Sequence, residues 1–314
     1  MDRVRRQLKL TDHLPAGREE VTVAVLDSGM AMHPDLKNAL IAFRDFSGTA
    51  GRTGRRFFYQ TPYDDYGHGT HVCGILGGSG ELSAGRYQGI CPGVRLIVGK
   101  ILDERGNGKA EDMLEGMEWV IKTRERYHTR LLNVSIGIDG LRDPLKKKQM
   151  KEMLDRLSKE GILAVCAAGN KGPLPGSLSF LGEGAGRVCV GCHDGNYFRN
   201  DPGRCETYSG RGAGAGAVKP DVVAPGTRIR SCSHDYHKGM GSERGYAVKS
   251  GTSMATPIVT GCLARVLRMA PDLQNEELLS LLKGTATDLG EPLNKQGFGM
   301  VNPRGMMEEL RKRE

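Results

Sequence analysis

Gly251-Thr252-Ser253-Met254-Ala255-Thr256-Pro257 is the stretch from which the rest of this 314-residue chain can be read. Gly251 permits a backbone geometry that other residues resist. Pro257 is tolerated near a helix start and not deep inside a helix. Beyond it, Ile258, Val259, Cys262, Leu263, Val266 and Leu267 recur at helical spacing. The stretch therefore reads as a turn that delivers Ser253 onto the first turn of an apolar helix. A serine there lies beside unsatisfied backbone N–H groups and the positive end of a helix dipole. That place suits a nucleophile whose attack builds negative charge on a carbonyl oxygen. It equally suits an N-terminal helix cap, so the choice between the two rests on the rest of the chain.

Composition narrows the classes. Hydrophobic content of 38% and charged content of 26% fit a soluble globular protein with ample core. No apolar run approaches the ~18 residues of a membrane span, and the start, MDRVRRQLKLTDHLPAGREE, has no apolar leader segment. The net charge of +8 is spread over short runs such as Arg52-Thr53-Gly54-Arg55-Arg56 and Lys146-Lys147-Lys148, without interleaved aromatics. A solvated surface is expected, and no nucleic-acid or membrane partner. Several of the eight cysteines lie inside apolar runs, such as Val165-Cys166-Ala167 and Val188-Cys189-Val190. They read as small buried hydrophobes and not as a disulfide framework, which favours a reducing cytoplasm. Cys189-Val190-Gly191-Cys192-His193 with Cys205 has zinc-ligand residue types, but its first pair falls on a strand and no second tight pair follows.

Around the opening stretch, strands alternate with helices. Residues 1–20 read as a polar surface arm and 21–314 as one domain, with no linker or repeat. Val21 to Leu26 is a β-branched apolar strand ending in Asp27-Ser28-Gly29, so Asp27 stands at a strand's C-terminal end, where open α/β sheets place their sites. Gly67-His68-Gly69-Thr70-His71-Val72 opens an apolar helix, and the glycines beside His68 allow close approach. A strand over 94–102 runs into Asp103-Glu104-Arg105-Gly106-Asn107-Gly108. A helix over 110–127 buries Met113, Leu114, Met117, Val120 and Ile121. Strands at 131–137, 161–168, 188–192 and 221–224 follow, with helices at 144–160, 275–285 and from 303. Residues 44–66, 195–218 and 232–246 read as irregular. The alternation predicts a mostly parallel sheet covered on both faces.

Asp27, His68 and Ser253, with Asn170 at the end of another strand, are the four groups acyl transfer needs. Serine is a poor nucleophile until an imidazole takes its proton. A carboxylate must hold the imidazole tautomer and stabilise its cation. Donors must face the nascent oxyanion, each worth about 10²–10³ in rate. The chemistry needs no cofactor.

These residues carry a family resemblance. Val25-Leu26-Asp27-Ser28-Gly29, His33-Pro34-Asp35-Leu36, Gly67-His68-Gly69-Thr70-His71-Val72, Ala167-Ala168-Gly169-Asn170, Asp221-Val222-Val223-Ala224-Pro225-Gly226 and Gly251-Thr252-Ser253-Met254-Ala255 occur in the order found in the subtilisin-like serine proteases. The chain resembles that family over about residues 20–305. The resemblance implies an α/β/α three-layer sandwich with a seven-stranded parallel sheet, and endopeptidase activity on protein or peptide substrates. It implies Asp27 as orienter, His68 as general base and acid, Ser253 as nucleophile, and Asn170 with the Ser253 N–H as oxyanion hole. Substrate is expected as an extended strand between Gly106-Asn107-Gly108 and Ser135-Ile136-Gly137.

The resemblance carries further expectations. The residue after the oxyanion asparagine borders the primary specificity pocket in the family; here it is Lys171, which would disfavour basic side chains. Family members often bind calcium through the aspartate of the His-Pro-Asp stretch, here Asp35, but the following loop Gly77 to Gly89 lacks an asparagine-rich ligand set. Ile258 stands where many relatives carry histidine. With only about twenty residues before the first strand, free cysteines and no leader, the resemblance is to intracellular members acting in general proteolysis or in processing one peptide. A scaffold that had lost catalysis would have lost a triad residue, and a lipase-type esterase would carry its serine in a Gly-x-Ser-x-Gly elbow.

Overall fold

The computed structural model of the chain describes residues 1–10, 21–48, 61–137, 143–196, 202–213, 218–238 and 243–312. In chain order the elements are α1 (Asp2–Gln7), β1 (Thr22–Asp27), β2 (Leu40–Asp45), α2 (His68–Gly77), β3 (Arg95–Lys100), α3 (Ala110–Tyr127), β4 (Thr129–Val134), α4 (Pro144–Lys159), β5 (Leu163–Ala167), β6 (Arg187–His193), β7 (Val222–Pro225), β8 (Ile229–Cys232), β9 (Tyr246–Lys249), α5 (Thr252–Met269), α6 (Asn275–Gly284), α7 (Leu293–Gln296) and α8 (Pro303–Arg311).

Seven strands form one parallel sheet in the order β2-β3-β1-β4-β5-β6-β7. The period of a strand sorts its side chains onto two faces. Along β1, Val23 and Val25 join the core built with α2, α5, α6 and α8, while Ala24 and Leu26 join the core built with α3 and α4. Both faces are apolar, so the sheet is the middle of three layers, as the alternating pattern and the resemblance implied. β1 sits in the centre, paired with β3 on one side and β4 on the other. This is why its C-terminal residue, Asp27, is fully buried.

α5 is buried from Thr252 to Leu267 on nearly every face, which marks a helix held inside a core rather than laid on it. Each fully buried Leu, Ile or Val contributes roughly 1.5–3 kcal/mol. The five such residues Ile258, Val259, Leu263, Val266 and Leu267 therefore fix this helix firmly, and with it the serine at its start.

Three parts of the chain depart from the sequence reading. β2 is an edge strand whose side chains are mostly half-buried, so it lacks the dense apolar run that marks a central strand. Residues 232–246, read as irregular, contain the ends of the antiparallel pair β8–β9; this pair is short, and β9 carries Lys249 and an exposed Val248. Residues 1–10 are not an exposed arm. α1 buries Met1, Val4 and Leu8 against the α5 side of the molecule, and Arg3 donates to the Thr227 carbonyl at 2.8 Å. The arginines around Val4 hid that spacing. Residues 11–20 lie outside the described residues.

Candidate active site

The site forms where the C-terminal ends of β3, β1, β4 and β5 meet the N-termini of α2 and α5. Asp27 ends β1. Its Oδ1 accepts the Ser28 N–H at 2.7 Å and the His68 Nδ1–H at 2.7 Å. Oδ2 is buried with no hydrogen-bond partner among the described residues. The carboxylate can only accept, so Nδ1 carries the proton and Nε2 is the free acceptor. Burial opposes a charge on His68, but the Asp27 carboxylate and its hydrogen bond outweigh burial and raise the imidazole above its ordinary value; Lys249 acts weakly the other way.

His68 is the first residue of α2, and the start of this helix is built for close contact. Gly67 has φ +84°, and a Cβ there would lie 2.1 Å from His234 Nδ1. A Cβ on Gly69 would lie 2.1 Å from the Gly29 carbonyl and 3.2 Å from Asp27 Cβ. Only glycine lets α2 dock on the Asp27 turn. Asp64 then fastens the two together. Its carboxylate accepts from Ser28 Oγ (2.8 Å), Gly67 N (2.7 Å), Thr70 N (2.8 Å) and Thr70 Oγ1 (2.6 Å). Burial would raise its pKa, but these donors together hold it below the ordinary carboxylate value. Ser28 Oγ in turn accepts from Gly69 N at 2.9 Å. Sequence reasoning placed Asp64 in an irregular segment; its position four residues before His68 was the available signal.

Ser253 is half-buried in the first turn of α5. The helix opens at Gly251, whose φ is +149°. The Thr252 N–H and Oγ1 both donate to Asn170 Oδ1, at 3.0 and 3.1 Å. That bond turns the Asn170 amide N–H₂ away from Thr252. The Ser253 N–H has no protein acceptor among the described residues. Pro257 has no N–H to give the Ser253 carbonyl. A buried line continues inward: Thr260 Oγ1 donates to Asn133 Oδ1 at 2.8 Å, and Asn133 Nδ2 donates to Ser135 Oγ at 2.8 Å. α5 is thus tied to the strand end that carries Ser135-Ile136-Gly137.

One open pocket of about 370 Å³ brings the parts together. His68 and Ser253 line it with Gly106, Asn107, Gly108, Ser135, Ile136 and Gly137. No hydrogen bond joins Ser253 to His68 among the described residues; such contacts are commonly loose without substrate. The 102–108 loop is held as a short hairpin, with Leu102 bridged to Gly108 and Asp103 Oδ1 accepting from Arg105 N and Asn107 N at 2.9 and 2.8 Å. Tyr66 also lines the pocket and packs on Gly106, where a Cβ would meet its ring at 2.5 Å. Tyr66 was not singled out from sequence. Lys171 is exposed and does not line this pocket.

Asp35 lies elsewhere and does not fit calcium. Its Oδ1 accepts the Leu82 N–H at 2.8 Å, and its Oδ2 accepts the Tyr246 hydroxyl at 2.7 Å and faces the Cys232 thiol at 3.9 Å. Calcium asks for six to eight oxygen ligands; here one carboxylate is met by donors. His33, Asp35 and Cys232 are the one group among the described residues close enough to share a metal. Both His33 nitrogens are already used, Nδ1 by Asp35 N (3.0 Å) and Nε2 by the Gly245 carbonyl (2.9 Å). The Cys189–His193 stretch forms no such group among the described residues. All eight cysteines are free and buried, and burial pushes thiols such as Cys262 up to about 12.

Comparison with known proteins agrees with this geometry. The Subtilase family matches residues 18–301. Serine protease AprX of Bacillus subtilis (strain 168) is 37% identical over 295 residues, covering 90% of this chain and 65% of AprX. Subtilisin Savinase of Lederbergia lenta is 33% identical over 284 residues, covering 90% of this chain and 88% of that protein. Of solved structures, S41 Psychrophilic Protease superposes with a TM-score of 0.78 at 28% identity, covering 95% of this chain and 96% of the other. Parallel sheet, site and similarity agree, and the chain belongs to the subtilase family.

Proposed function

We propose that this chain is a serine endopeptidase. The observation that carries the reading is the 2.7 Å Asp27–His68 bond beside a pocket that His68 shares with Ser253 and two stretches of open backbone. In this reading the peptide lies as an extended strand between Gly106-Asn107-Gly108 and Ser135-Ile136-Gly137, where main-chain hydrogen bonds supply affinity. Ser253 Oγ attacks the scissile carbonyl while His68 Nε2 takes its proton. Asp27 keeps the Nδ1–H in place and stabilises the cation. The oxyanion settles between the Asn170 amide and the Ser253 N–H, both left free for it. His68 then gives its proton to the leaving amine, and water repeats the sequence to release the acyl group. No cofactor enters any step.

Lys171 is proposed to disfavour basic side chains before the cut. A cleavage profile dominated by Arg or Lys there would refute it. Protein or peptide substrates are the proposed partners. The eight free cysteines support a reducing, cytoplasmic setting, and no helix among the described residues is long and apolar enough to cross a membrane. The deciding experiment treats the folded chain with a serine-directed fluorophosphonate and maps the label. Labelling of Ser253, abolished by Ser253→Ala and slowed by His68→Ala, is expected. A folded sample with no label at Ser253 would overturn the reading.

A further inference from the structure

Among the described residues, the bulkiest fully buried side chain is a lysine, Lys100. Lysine is almost never fully buried unless it is paired. Its ammonium has three hydrogens and here meets three acceptors. Nζ donates to the Ser28 carbonyl at 3.0 Å, the Leu102 carbonyl at 2.7 Å and Asp65 Oδ1 at 2.6 Å. The Tyr63 ring covers it at 5.1 Å.

The three acceptors belong to three separate parts of the site. Ser28 directly follows Asp27. Asp65 lies in the turn that runs into His68. Leu102 opens the loop whose other end, Gly108, is part of the substrate edge. We infer that Lys100 is a positioning residue that couples occupation of the Gly106–Gly108 edge to the alignment of Asp27 and His68. It touches neither substrate nor the reacting atoms. The coupling follows from burial. A buried ammonium whose three hydrogens are all used cannot lose one acceptor without leaving charge unsatisfied, so the three segments keep one mutual arrangement. A peptide that pulls the edge into register then also sets the turn behind Asp27 and the turn before His68. Binding energy gained far from the scissile bond is thereby spent on kcat and not only on KM.

This inference rests on the endopeptidase reading, and its test separates the two. The full chain, Lys100→Met and Asp65→Ala are titrated with a fluorophosphonate to count active sites. Then kcat and KM are measured for two fluorogenic peptides with the same residue before the cut, one spanning two acyl-side residues and one spanning four. Asp65→Ala guards against a Lys100→Met chain that fails to fold, because Asp65 is partly exposed and the lysine keeps two carbonyl acceptors. In the wild type the longer peptide is expected to raise kcat about tenfold. In both variants the kcat ratio falls toward one, while the longer peptide keeps its lower KM because the edge itself still binds. Equal loss of kcat for both peptides, an unchanged ratio, or no gain with length in the wild type overturns the coupling. A wild-type chain that takes no label at Ser253 sinks the endopeptidase reading and this one with it.

Discussion

Replacing Asp27 by Asn tests how the buried carboxylate contributes. Asp27 Oδ1 holds both the Ser28 N–H and the His68 Nδ1–H, and Oδ2 has no hydrogen-bond partner among the described residues. An asparagine can therefore place its carbonyl at the Oδ1 position and its amide nitrogen at the Oδ2 position. Both hydrogen bonds survive, and mainly the charge is lost. With charge centres roughly 3–4 Å apart, that charge stabilises the imidazolium by about 4–6 kcal/mol at an effective dielectric near 20. At 1.36 kcal/mol per tenfold, kcat should fall about 10³–10⁴-fold. A rotated amide would impose the wrong tautomer and cost at least as much. The pH profile supplies an independent readout. Catalysis needs neutral His68, so the acid limb of kcat/KM follows its pKa. In the wild type that limb lies above the ordinary 6.5, because Asp27 raises it against burial. In Asp27→Asn, burial and Lys249 still oppose the charge and only the smaller pull of Asp64 favours it, so the limb moves to lower pH. The assay is the pH dependence of kcat/KM on one peptide for both proteins, with active sites titrated. A loss smaller than tenfold, or a limb that stays or moves upward, would refute the argument.

Three further outcomes follow from the same geometry. Asn170→Ala should lower kcat about 10²–10³-fold with little change in KM, since the amide acts on the oxyanion and not on bound peptide; a change mainly in KM would count against that role. Gly69→Ala forces a Cβ into the Gly29 carbonyl, and backbone cannot give way as a side chain does. It should cost about 3 kcal/mol or more and be seen as a large drop in Tm; a fully stable variant would show that α2 can shift away from the Asp27 turn. Tyr246→Phe removes a donor from the buried Asp35 carboxylate and should cost about 1.5–3 kcal/mol, read as a lower Tm, while a chelator leaves the wild-type Tm unchanged. A calcium-dependent rise in Tm that Asp35→Asn abolishes would show that the donor set around Asp35 rearranges to take the ion.

What the sequence determined by itself was local. A buried strand ending in Asp27, a helix opened by glycine-flanked His68, and a turn delivering Ser253 onto an apolar helix each need only nearby residue types, because turn, cap and period are set within a few residues. The alternation of strands and helices then implied the parallel sheet. β2 escaped notice because an edge strand with half-buried side chains lacks a dense apolar run, β8 and β9 because each is only four residues long, and α1 because arginines mask the spacing of Met1, Val4 and Leu8. The tertiary structure alone decided which distant groups meet. It set the Asp27–His68 distance, placed Asp64 as the fastening of α2, gave Lys100 its three acceptors, and filled the surroundings of Asp35 with donors rather than calcium ligands. Apart from the nearness of Asp64 to His68 in the chain, none of these is visible in composition or spacing. A buried charge is decided by what surrounds it, and those partners come from segments far apart in the chain that only the packed sheet and helices bring together.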